Sequence, residues 1–388
     1  MTERVIYLKG GRAIEEARRL FPRVGDLPDG GPDKFLLAVL FYARAGVFRL
    51  TSFGPRTERA LLDGHEVFEY GARSTSSSQL QRRWSFACAA IGFVVDTLRF
   101  RPRRVLCGAD GPFALFAWVA ARLAGAQFVF LAHNAIALPT MSKAYLWANR
   151  FICQHADWVV AHGPFVRDEA IGLGAAPAQV MEFNNALDPE HAALVNGLPA
   201  KVELAVEATI LYVGRIEEDK GVVDLLEAFR QLPLASGARL RFVGSGSANA
   251  TLRQLVQQYE LQARVEVLGP VEFDAVFAHM KQATVVVTPS QSRFPEGFCK
   301  SAMEAFYVGT PVVAPDYGPF PYMVKHEENG LLYQPDNVVA LAQALKRCVA
   351  DAGLRHQLEE GARRWGQIFM HPKTTFAKAI EQVFSSAP

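Results

Sequence analysis

Short apolar runs alternate with longer segments of helical periodicity along almost the whole chain. Runs such as Phe128–Ala132 and Thr209–Val213 are rich in β-branched and aromatic residues, which is typical of strands buried on both faces. Segments such as Gln79–Phe100 and Val222–Leu232 carry the apolar spacing of helices. The alternation predicts parallel sheets covered by helices. The predicted strands are Arg4–Leu8, Phe35–Leu40, Glu66–Tyr70, Arg104–Cys107, Phe128–Ala132 and Trp158–Ala161 in the first half, and Thr209–Val213, Arg239–Val243, Val265–Leu268, Thr284–Thr288 and Pro311–Ala314 in the second.

The composition loosens once between these two series of strands. Residues Asp188–Val206 include Pro189, Gly197 and Pro199, which interrupt regular structure. We therefore predict an α/β protein with two Rossmann-like, doubly wound domains that face each other across a deep cleft. Parallel strands of such domains bind ligands at their carboxyl ends, so the cleft is the expected site. The predicted segments are a first domain at 1–190, a linker at 191–207, a second domain at 208–365 and a C-terminal tail at 366–388.

Composition and charge exclude some classes of function and some cellular locations. The 388 residues carry a net charge of +2, which argues against a nucleic-acid partner. The five cysteines are an odd number without a Cys-x-x-Cys pair, which favours reduced thiols in the cytoplasm over disulfides or a zinc site. The N-terminal segment is typical of a strand and not of a signal peptide. Apolar stretches are interrupted before they reach the length of a membrane span.

The most informative stretch runs from Ser290 to Ala314 and contains two carboxylates, Glu296 and Glu304. Glu296 lies in a Pro-Glu-Gly turn, and we place Glu304 in the first turn of a helix. The segment Gly297–Ser301 reads as a strand-to-helix loop, whose backbone N–H groups are suited to bind a phosphate. A diphosphate at the helix start, with a carboxylate on either side for sugar hydroxyls, describes a nucleotide-sugar site. The alternative is ordinary: a turn acid and an acid that complements the helix dipole.

Two cations follow the predicted strand Thr209–Val213. Gly214 ends the strand, Arg215 and Lys220 lie in the loop, and a helix opens near Gly221. Cations beside a helix N-terminus suit a diphosphate, and suit it better as it becomes a leaving group. Alternatively, the acidic residues 217–219 simply pair with these cations.

Three weaker signals lie at other strand ends. Gly244 begins a Gly-x-Gly turn that lacks the third glycine of a dinucleotide site, so a tight turn explains it better. His133 and Asn134 follow the strand Phe128–Ala132 on the expected cleft side, where a functional role and a capping role are both open. Gly11 follows the first strand, where a glycine could let the backbone come close to a phosphate or could simply form a turn.

These residues together resemble the retaining nucleotide-sugar glycosyltransferases of family 4, which have the GT-B fold. The resemblance is strongest from Thr209 to Tyr333. The family pattern Glu-Gly-Phe-Gly, then Glu-Ala-Met-Ala-x-Gly-x-Pro-Val-Val, stands here as Glu296-Gly-Phe-Cys and Glu304-Ala-Phe-Tyr-Val-Gly-Thr-Pro-Val-Val. Cys299 therefore replaces a usual glycine, and Lys300 replaces a common apolar residue.

The resemblance implies a role for each matching residue. Glu304 would bind the nucleotide ribose and Glu296 the donor sugar, which His133 would also reach. Arg215 and Lys220 would be the diphosphate cations. The catalytic set implied is Glu296, Arg215, Lys220 and His133; the donor-binding set is Glu304, Phe298, Cys299, Lys300, Ser301, Gly297, Gly214, Gly244, Gly11 and Asn134.

The resemblance also implies a reaction. A hexosyl group would pass with retention from a UDP- or GDP-sugar to a hydroxyl of a carbohydrate or lipid-linked acceptor, as in bacterial polysaccharide, glycolipid or lipid-linked glycan synthesis. The first domain would bind the acceptor, the second the donor, and the tail would be a helix that crosses back to the first domain. No cofactor or metal is expected, since two cations and helix dipoles face the diphosphate and no Asp-x-Asp motif is present.

Other functions stay open at this point. A glycoside hydrolase would use Glu296 and Glu304 as acid and base across one glycosidic bond, but it would leave the neighbouring cations unexplained. A sugar-nucleotide epimerase or a phosphorylase would share the fold. A non-catalytic binding protein would share the donor site without the transfer.

Residues 82–104 raise a separate hypothesis of peripheral membrane contact. Arginines at 82, 83, 99, 101, 103 and 104 bracket an apolar helix that also carries Trp84. Basic and aromatic residues together suit the anionic inner face of a membrane and a lipid-linked acceptor. The alternative is a core helix with solvated ends.

Overall fold

The chain folds into two units. A computed structural model describes residues 4–9, 13–20, 39, 47–54, 57–62, 65–71, 79–187, 189–199 and 208–385. The first unit comprises Met1–Asn185 together with Lys373–Pro388, and the second comprises Ala186–Pro372. The predicted α/β class with two parallel-sheet, Rossmann-like domains is confirmed.

The first unit is built on an eight-stranded sheet in the order β3-β4-β2-β1-β5-β6-β7-β8. Neighbouring strands run parallel except for the edge strand β3, which is antiparallel to β4. The strands are β1 (Arg4–Lys9), β2 (Val47–Gly54), β3 (Glu58–Leu62), β4 (His65–Gly71), β5 (Arg104–Cys107), β6 (Gln127–Ala132), β7 (Trp158–His162) and β8 (Val180–Phe183).

Helices cover both faces of this sheet because alternate residues of each strand point to opposite sides. In β1, Ile6 and Leu8 join one core, whereas Val5 and Tyr7 join the other. The C-terminal helix belongs to the second of these cores. The helices of the unit are α1 (Ala13–Leu20), α2 (Gln79–Phe100), α3 (Pro112–Leu123), α4 (Lys143–His155), α5 (Gly163–Gly172) and α14 (Phe376–Ser385).

The second unit has a six-stranded parallel sheet in the order β11-β10-β9-β12-β13-β14. Its central strand Val285–Val287 is fully buried, with Val286 in one core and its two neighbours in the other. Burial on both faces explains why this strand reads as an unbroken apolar run. The strands are β9 (Thr209–Val213), β10 (Arg239–Val243), β11 (Val265–Gly269), β12 (Val285–Val287), β13 (Val312–Pro315) and β14 (Gly330–Tyr333).

Helices flank this second sheet as they flank the first. They are α6 (Pro189–Gly197), α7 (Val222–Arg230), α8 (Asn249–Gln258), α9 (Phe273–Gln282), α10 (Lys300–Tyr307), α11 (Phe320–Met323), α12 (Val338–Ala350) and α13 (Ala352–Met370). No helix in the described part of the chain is long and apolar enough to cross a membrane.

The structure corrects several sequence expectations. Helix α6 occupies residues assigned to the linker, because Val195 is buried in the core of the second unit and supplies the packing that stabilises the helix. The strand predicted at Phe35–Leu40 lies almost wholly outside the described residues. The strands β2, β3 and β14 were not predicted. Each is short or mixes apolar and polar residues, so its sequence pattern alone does not mark it as a strand. Pairing with neighbouring strands in the folded sheet stabilises it.

The C-terminal segment also begins later than the sequence indicates. Helix α13 continues to Met370 within the second unit, and the chain joins the first unit from Lys373 rather than from residue 366. Phe376 and Ile380 of α14 are then buried in the core that also holds Val5 and Tyr7. Hydrophobic burial therefore anchors the tail to the first sheet.

Candidate active site

The loop after β9 packs directly against the loop after β12. Its residues Glu218–Lys220 form a single 3-10 turn, and Gly221 then starts α7 in a left-handed conformation with φ 70°. A Cβ atom on Gly221 would lie 1.9 Å from the carbonyl oxygen of Pro289. A glycine is therefore required here both by the backbone angle and by the close approach of the second loop.

The two loops are joined by an ion pair. Lys220 Nζ lies 2.6 Å from Glu296 Oε2, and the two side chains are only 16% and 12% exposed. Ser290 donates its hydroxyl to the same carboxylate oxygen at 3.2 Å. The structure thus brings together one predicted cation and one predicted carboxylate, which are 76 residues apart in the sequence.

Further hydrogen bonds fix this junction. The backbone N–H of Gln291 donates to the carbonyl oxygen of Asp219 at 3.0 Å. The side-chain amide of Gln291 donates to Asp224 in the first turn of α7 at 2.6 Å. Because these bonds tie the second loop to the first loop and to the helix that follows it, the two loops form one structural unit.

Arg215 behaves differently from Lys220. Its guanidinium pairs with Glu217 of its own loop at 2.7 Å and is 58% exposed. The alternative that loop acids pair with the cations therefore applies to Arg215. It does not apply to Lys220, whose carboxylate partner is Glu296. Arg215 keeps a solvent-facing position from which a ligand could displace the Glu217 contact.

The glycines at the ends of β9 and β10 allow the loops after these two strands to pack closely against each other. A Cβ atom on Gly244, whose φ is 134°, would lie 1.9 Å from the carbonyl oxygen of Gly214. The backbone N–H of Ile216 donates to the backbone carbonyl oxygen of Ser245 at 2.9 Å, which joins the same two loops. Packing explains both glycines, and their donor-binding role remains a prediction.

Helix α10 begins at the residues predicted to bind the donor phosphate. Cys299 is its N-cap residue, and Phe298 and Cys299 are both buried. The Cys299 sulfur lies 3.5 Å from the Ser301 hydroxyl, and burial raises the pKa of this thiol to about 11. The thiol is therefore neutral near pH 7 and is unsuited to act as a nucleophile. Lys300 is exposed and Gly297 is buried.

Glu304 requires a correction. Because α10 starts at Lys300, Glu304 lies in the second turn of the helix and not in the first, so the helix dipole does not account for it. Burial raises the pKa of Glu304 to about 7, against the opposing charges of Lys300 and His191. A raised pKa makes this carboxylate a candidate for a functional role, and its contact with a nucleotide ribose remains a prediction.

In the first unit, His133 follows β6 directly, as predicted. The imidazole is half-buried and lies among the rings of His162, Phe183 and Phe376, with ring centroids 5.8–6.3 Å away. Asn134 beside it is exposed. The aromatic neighbours fix the ring at the carboxyl edge of the sheet, and its contact with a donor sugar remains a prediction.

Gly11 lies outside the described residues, but the start of α1 close to it is described. The N–H groups of Ala13 and Ile14 donate to Ser52 Oγ at 3.2 Å and Glu69 Oε1 at 3.1 Å. Protein groups therefore already bind two of the N–H groups in the first turn of α1, and one of these acceptors is a carboxylate.

Sequence reasoning missed two aromatic residues of the second loop and its surroundings. The Phe294 ring lies beside both cations, and the Tyr317 hydroxyl lies 2.9 Å from the carbonyl oxygens of Gln291 and Phe294. A phenylalanine in a polar loop, two residues before Glu296, is the signal that could have drawn attention to this position.

Part of the chain matches a known family. Residues 200–365 match the family described as Glycosyl transferases group 1. The match lies within the second unit, and the fold of the two units is the GT-B fold of the structural neighbours.

Particular proteins show the extent of the similarity. The chain is 34% identical over 184 residues to an uncharacterized glycosyltransferase of Methanocaldococcus jannaschii, which covers 46% of either protein. It spans less than half the length of this relative and of four other curated relatives with 33–35% identity. Sucrose-phosphate synthase from Thermosynechococcus elongatus aligns over 98% of both chains at 21% identity with a TM-score of 0.67. Anabaena HepE in complex with UDP aligns over 100% of both chains at 18% identity with a TM-score of 0.68.

The buried Glu304 carboxylate predicts a stability that depends on pH. The pKa of about 7 in the folded chain exceeds the ordinary value of 4.5, so the folded state loses stability as pH rises through this window. Glu304→Gln removes the buried charge. Relative to wild type, we expect the variant to gain on the order of 2–3 kcal/mol of stability between pH 5 and pH 8, most of it above pH 5.

Melting curves of both proteins at the two pH values provide the test. Glu381→Gln, on the exposed surface of α14, is the matched control and should change neither curve. An equal difference between Glu304→Gln and wild type at pH 5 and pH 8 would contradict the burial of a titrating carboxylate.

Proposed function

We propose that the protein is a retaining, metal-independent glycosyltransferase of the family 4 type. It transfers a hexosyl group from a UDP- or GDP-sugar to a hydroxyl of a carbohydrate or lipid-linked acceptor, in polysaccharide, glycolipid or lipid-linked glycan synthesis. The observation that carries the proposal is the contact between Lys220 and Glu296, beside the start of α10. The UDP complex of Anabaena HepE, a protein with a similar fold, supports a nucleoside diphosphate donor.

The reaction needs stabilisation of a leaving diphosphate. The bond between the anomeric carbon and the phosphate oxygen breaks, and negative charge develops on that oxygen. Lys220 and Arg215 supply positive charge beside it, and the first N–H groups of α10 add a helix dipole of the same sign. The departing oxygen takes the proton of the acceptor hydroxyl, whose oxygen bonds to the anomeric carbon on the same face. Atoms and charge balance without a protein base.

The carboxylates then hold the donor. Glu296 accepts hydrogen bonds from sugar hydroxyls with the oxygen that Lys220 leaves available, and Glu304 accepts those of the ribose. Backbone N–H groups of Phe298 and Cys299 face the sugar and phosphate oxygens.

A glycoside hydrolase is disfavoured by the same contacts. An acid and base pair would need Glu296 and Glu304 to flank one bond and to influence each other's protonation. The charges that act on Glu304 are those of Lys300 and His191, while Glu296 is paired with Lys220.

Lys220→Ala tests the proposed reaction. The substitution removes a cation that acts mostly on the leaving group, so we expect kcat to fall about 100- to 1,000-fold, a barrier increase of roughly 2–4 kcal/mol. Release of nucleoside diphosphate from a panel of UDP- and GDP-sugars provides the assay. Lys346→Ala, on the exposed face of α12, should leave turnover unchanged. Unaltered turnover of every accepted donor by Lys220→Ala would rule out the assignment.

We also propose that helix α2 contacts an anionic membrane surface. Trp84, Cys88, Ile91, Val95 and Leu98 recur at intervals of three and four residues, which places them on one face of the helix. All five are exposed, and Trp84 and Ile91 are 65% and 64% exposed. The exposure of this face along the helix counts against the alternative of a core helix with solvated ends only.

Arginine side chains cluster at the C-terminal end of this apolar face. An open groove of about 570 Å³ is lined by Arg4, Arg99 and Arg101 beside Val95 and Leu98. Apolar side chains bordered by arginines match a lipid surface with anionic headgroups. The nearby Asp96 does not offset them, since it pairs with Tyr70 and Arg59.

The backbone conformation at Arg101 is unusual for an arginine. Arg101 adopts a left-handed conformation with φ 49° at the end of α2, where glycine is the usual residue. Arg104 is different from its neighbours and corrects the sequence expectation. It is buried and binds Gln127, so it takes no part in the surface. The side chains of residues 82 and 83 lie outside the described residues.

Vesicle flotation tests the membrane contact. We expect wild type to float with vesicles that contain phosphatidylglycerol and to remain behind with phosphatidylcholine alone. Trp84→Ser combined with Ile91→Ser should abolish flotation, whereas Leu234→Ser, at a position 77% exposed in the second unit, should not. Absence of lipid-dependent recovery of wild type, or flotation unaffected by the double substitution, would sink the idea.

A further inference from the structure

We propose that Phe294 is a positioning residue that holds Arg215 and Lys220 as a pair for the donor diphosphate. The ring centroid lies 3.8 Å from Lys220 Nζ and 5.7 Å from Arg215 Cζ. One aromatic ring therefore contacts both cations of the first loop. This inference rests on the proposed function, because it assigns the ring a task in binding the diphosphate.

The electrostatics of a ring suit this task. Two cations near each other repel, and the negative face of an aromatic ring attracts each of them without cancelling its charge. Carboxylates alone would hold the cations but would neutralise them. Here Glu217 and Glu296 contact the two cations individually, while Phe294 is the contact that they share. The ring thus keeps positive charge available for an incoming anion.

The loop backbone fixes the ring in place. The N–H of Phe294 donates to the backbone carbonyl oxygen of Gln291 at 2.9 Å, and the N–H of Glu296 donates to the carbonyl oxygen of Phe294 at 2.8 Å. The Tyr317 hydroxyl shares its proton between the carbonyl oxygens of Gln291 and Phe294, both at 2.9 Å. The N–H of Ser292 donates to Asp336 at 2.9 Å. A tightly bonded turn therefore presents the ring, with little freedom to move away from the cations.

The position of Phe294 also explains how the ring and Glu296 act together on Lys220. The ammonium group is bounded by a carboxylate oxygen at 2.6 Å and by the ring at 3.8 Å. An ammonium has three N–H donors. A ring face attracts its charge without taking up a donor in the way that a hydrogen-bonding oxygen does. The lysine is thereby oriented, and it retains donors for a phosphate oxygen.

Binding measurements with substituted proteins test the inference. Phe294→Leu keeps apolar bulk and removes the ring, whereas Phe294→Tyr keeps an aromatic face. We expect Phe294→Leu to weaken UDP or GDP binding, whichever wild type accepts, by about 5- to 30-fold. The corresponding nucleoside, uridine or guanosine, should bind within about twofold of wild type, since it lacks the diphosphate. Phe294→Tyr should bind both ligands as wild type does.

The outcomes separate the inference from the proposed function. If wild type binds neither UDP nor GDP, both are overturned. If wild type binds and Phe294→Leu binds the diphosphate equally well, only the inference is overturned. An equal loss of nucleoside and diphosphate in Phe294→Leu also overturns it, because the ring would then be only structural.

Tyr317→Phe provides a second variant should Phe294→Leu fail to fold. It removes the hydroxyl that holds the turn and keeps the Phe294 ring. We expect a selective loss of diphosphate affinity, smaller than that of Phe294→Leu, with nucleoside binding unchanged. An unchanged diphosphate affinity in a folded Tyr317→Phe would count against the fixed turn.

Discussion

The ion pair between Lys220 and Glu296 is the contact on which the candidate site depends. Both side chains are mostly buried, so each charge is stabilised chiefly by the other. The Ser290 hydroxyl also donates to Glu296, and the Phe294 ring lies beside Lys220. Removing one partner of such a pair leaves a buried charge without compensation, which is strongly destabilising. The pair therefore fixes the distance between two loops that belong to different strands of the same sheet.

Sequence features on both loops make this contact possible. Gly221 admits the carbonyl oxygen of Pro289, and Gly214 and Gly244 let the loops after β9 and β10 approach each other. The parallel sheet places these loops at one edge because all carboxyl ends of its strands point the same way. Lys220, Glu296 and the start of α10 therefore lie close together at this edge.

Much of this organisation could be predicted from sequence. The buried strands read as apolar runs, and the predicted site residues follow the ends of these strands. The structure brings two of them, Lys220 and Glu296, into contact, and their role in donor binding stays a prediction. The start of α10 was placed one residue late, which assigned Glu304 to the wrong turn, as helix boundaries commonly shift by a residue or two.

The remaining features depend on packing that no local pattern reveals. Phe294 resembles any loop aromatic until the fold brings Arg215 and Lys220 to its ring. Helix α6 was assigned to a linker because its stability comes from burying Val195 against residues distant in sequence. The exposure of one face of α2 likewise requires knowing which of its faces the sheet covers.

The role of Lys220 is best tested by a crystal structure with the bound nucleoside diphosphate. We expect a diphosphate oxygen within about 3 Å of Lys220 Nζ, at the start of α10, with Glu296 beside the position of the sugar. A diphosphate bound elsewhere, with the Lys220–Glu296 pair untouched, would show that the pair is not part of the donor site.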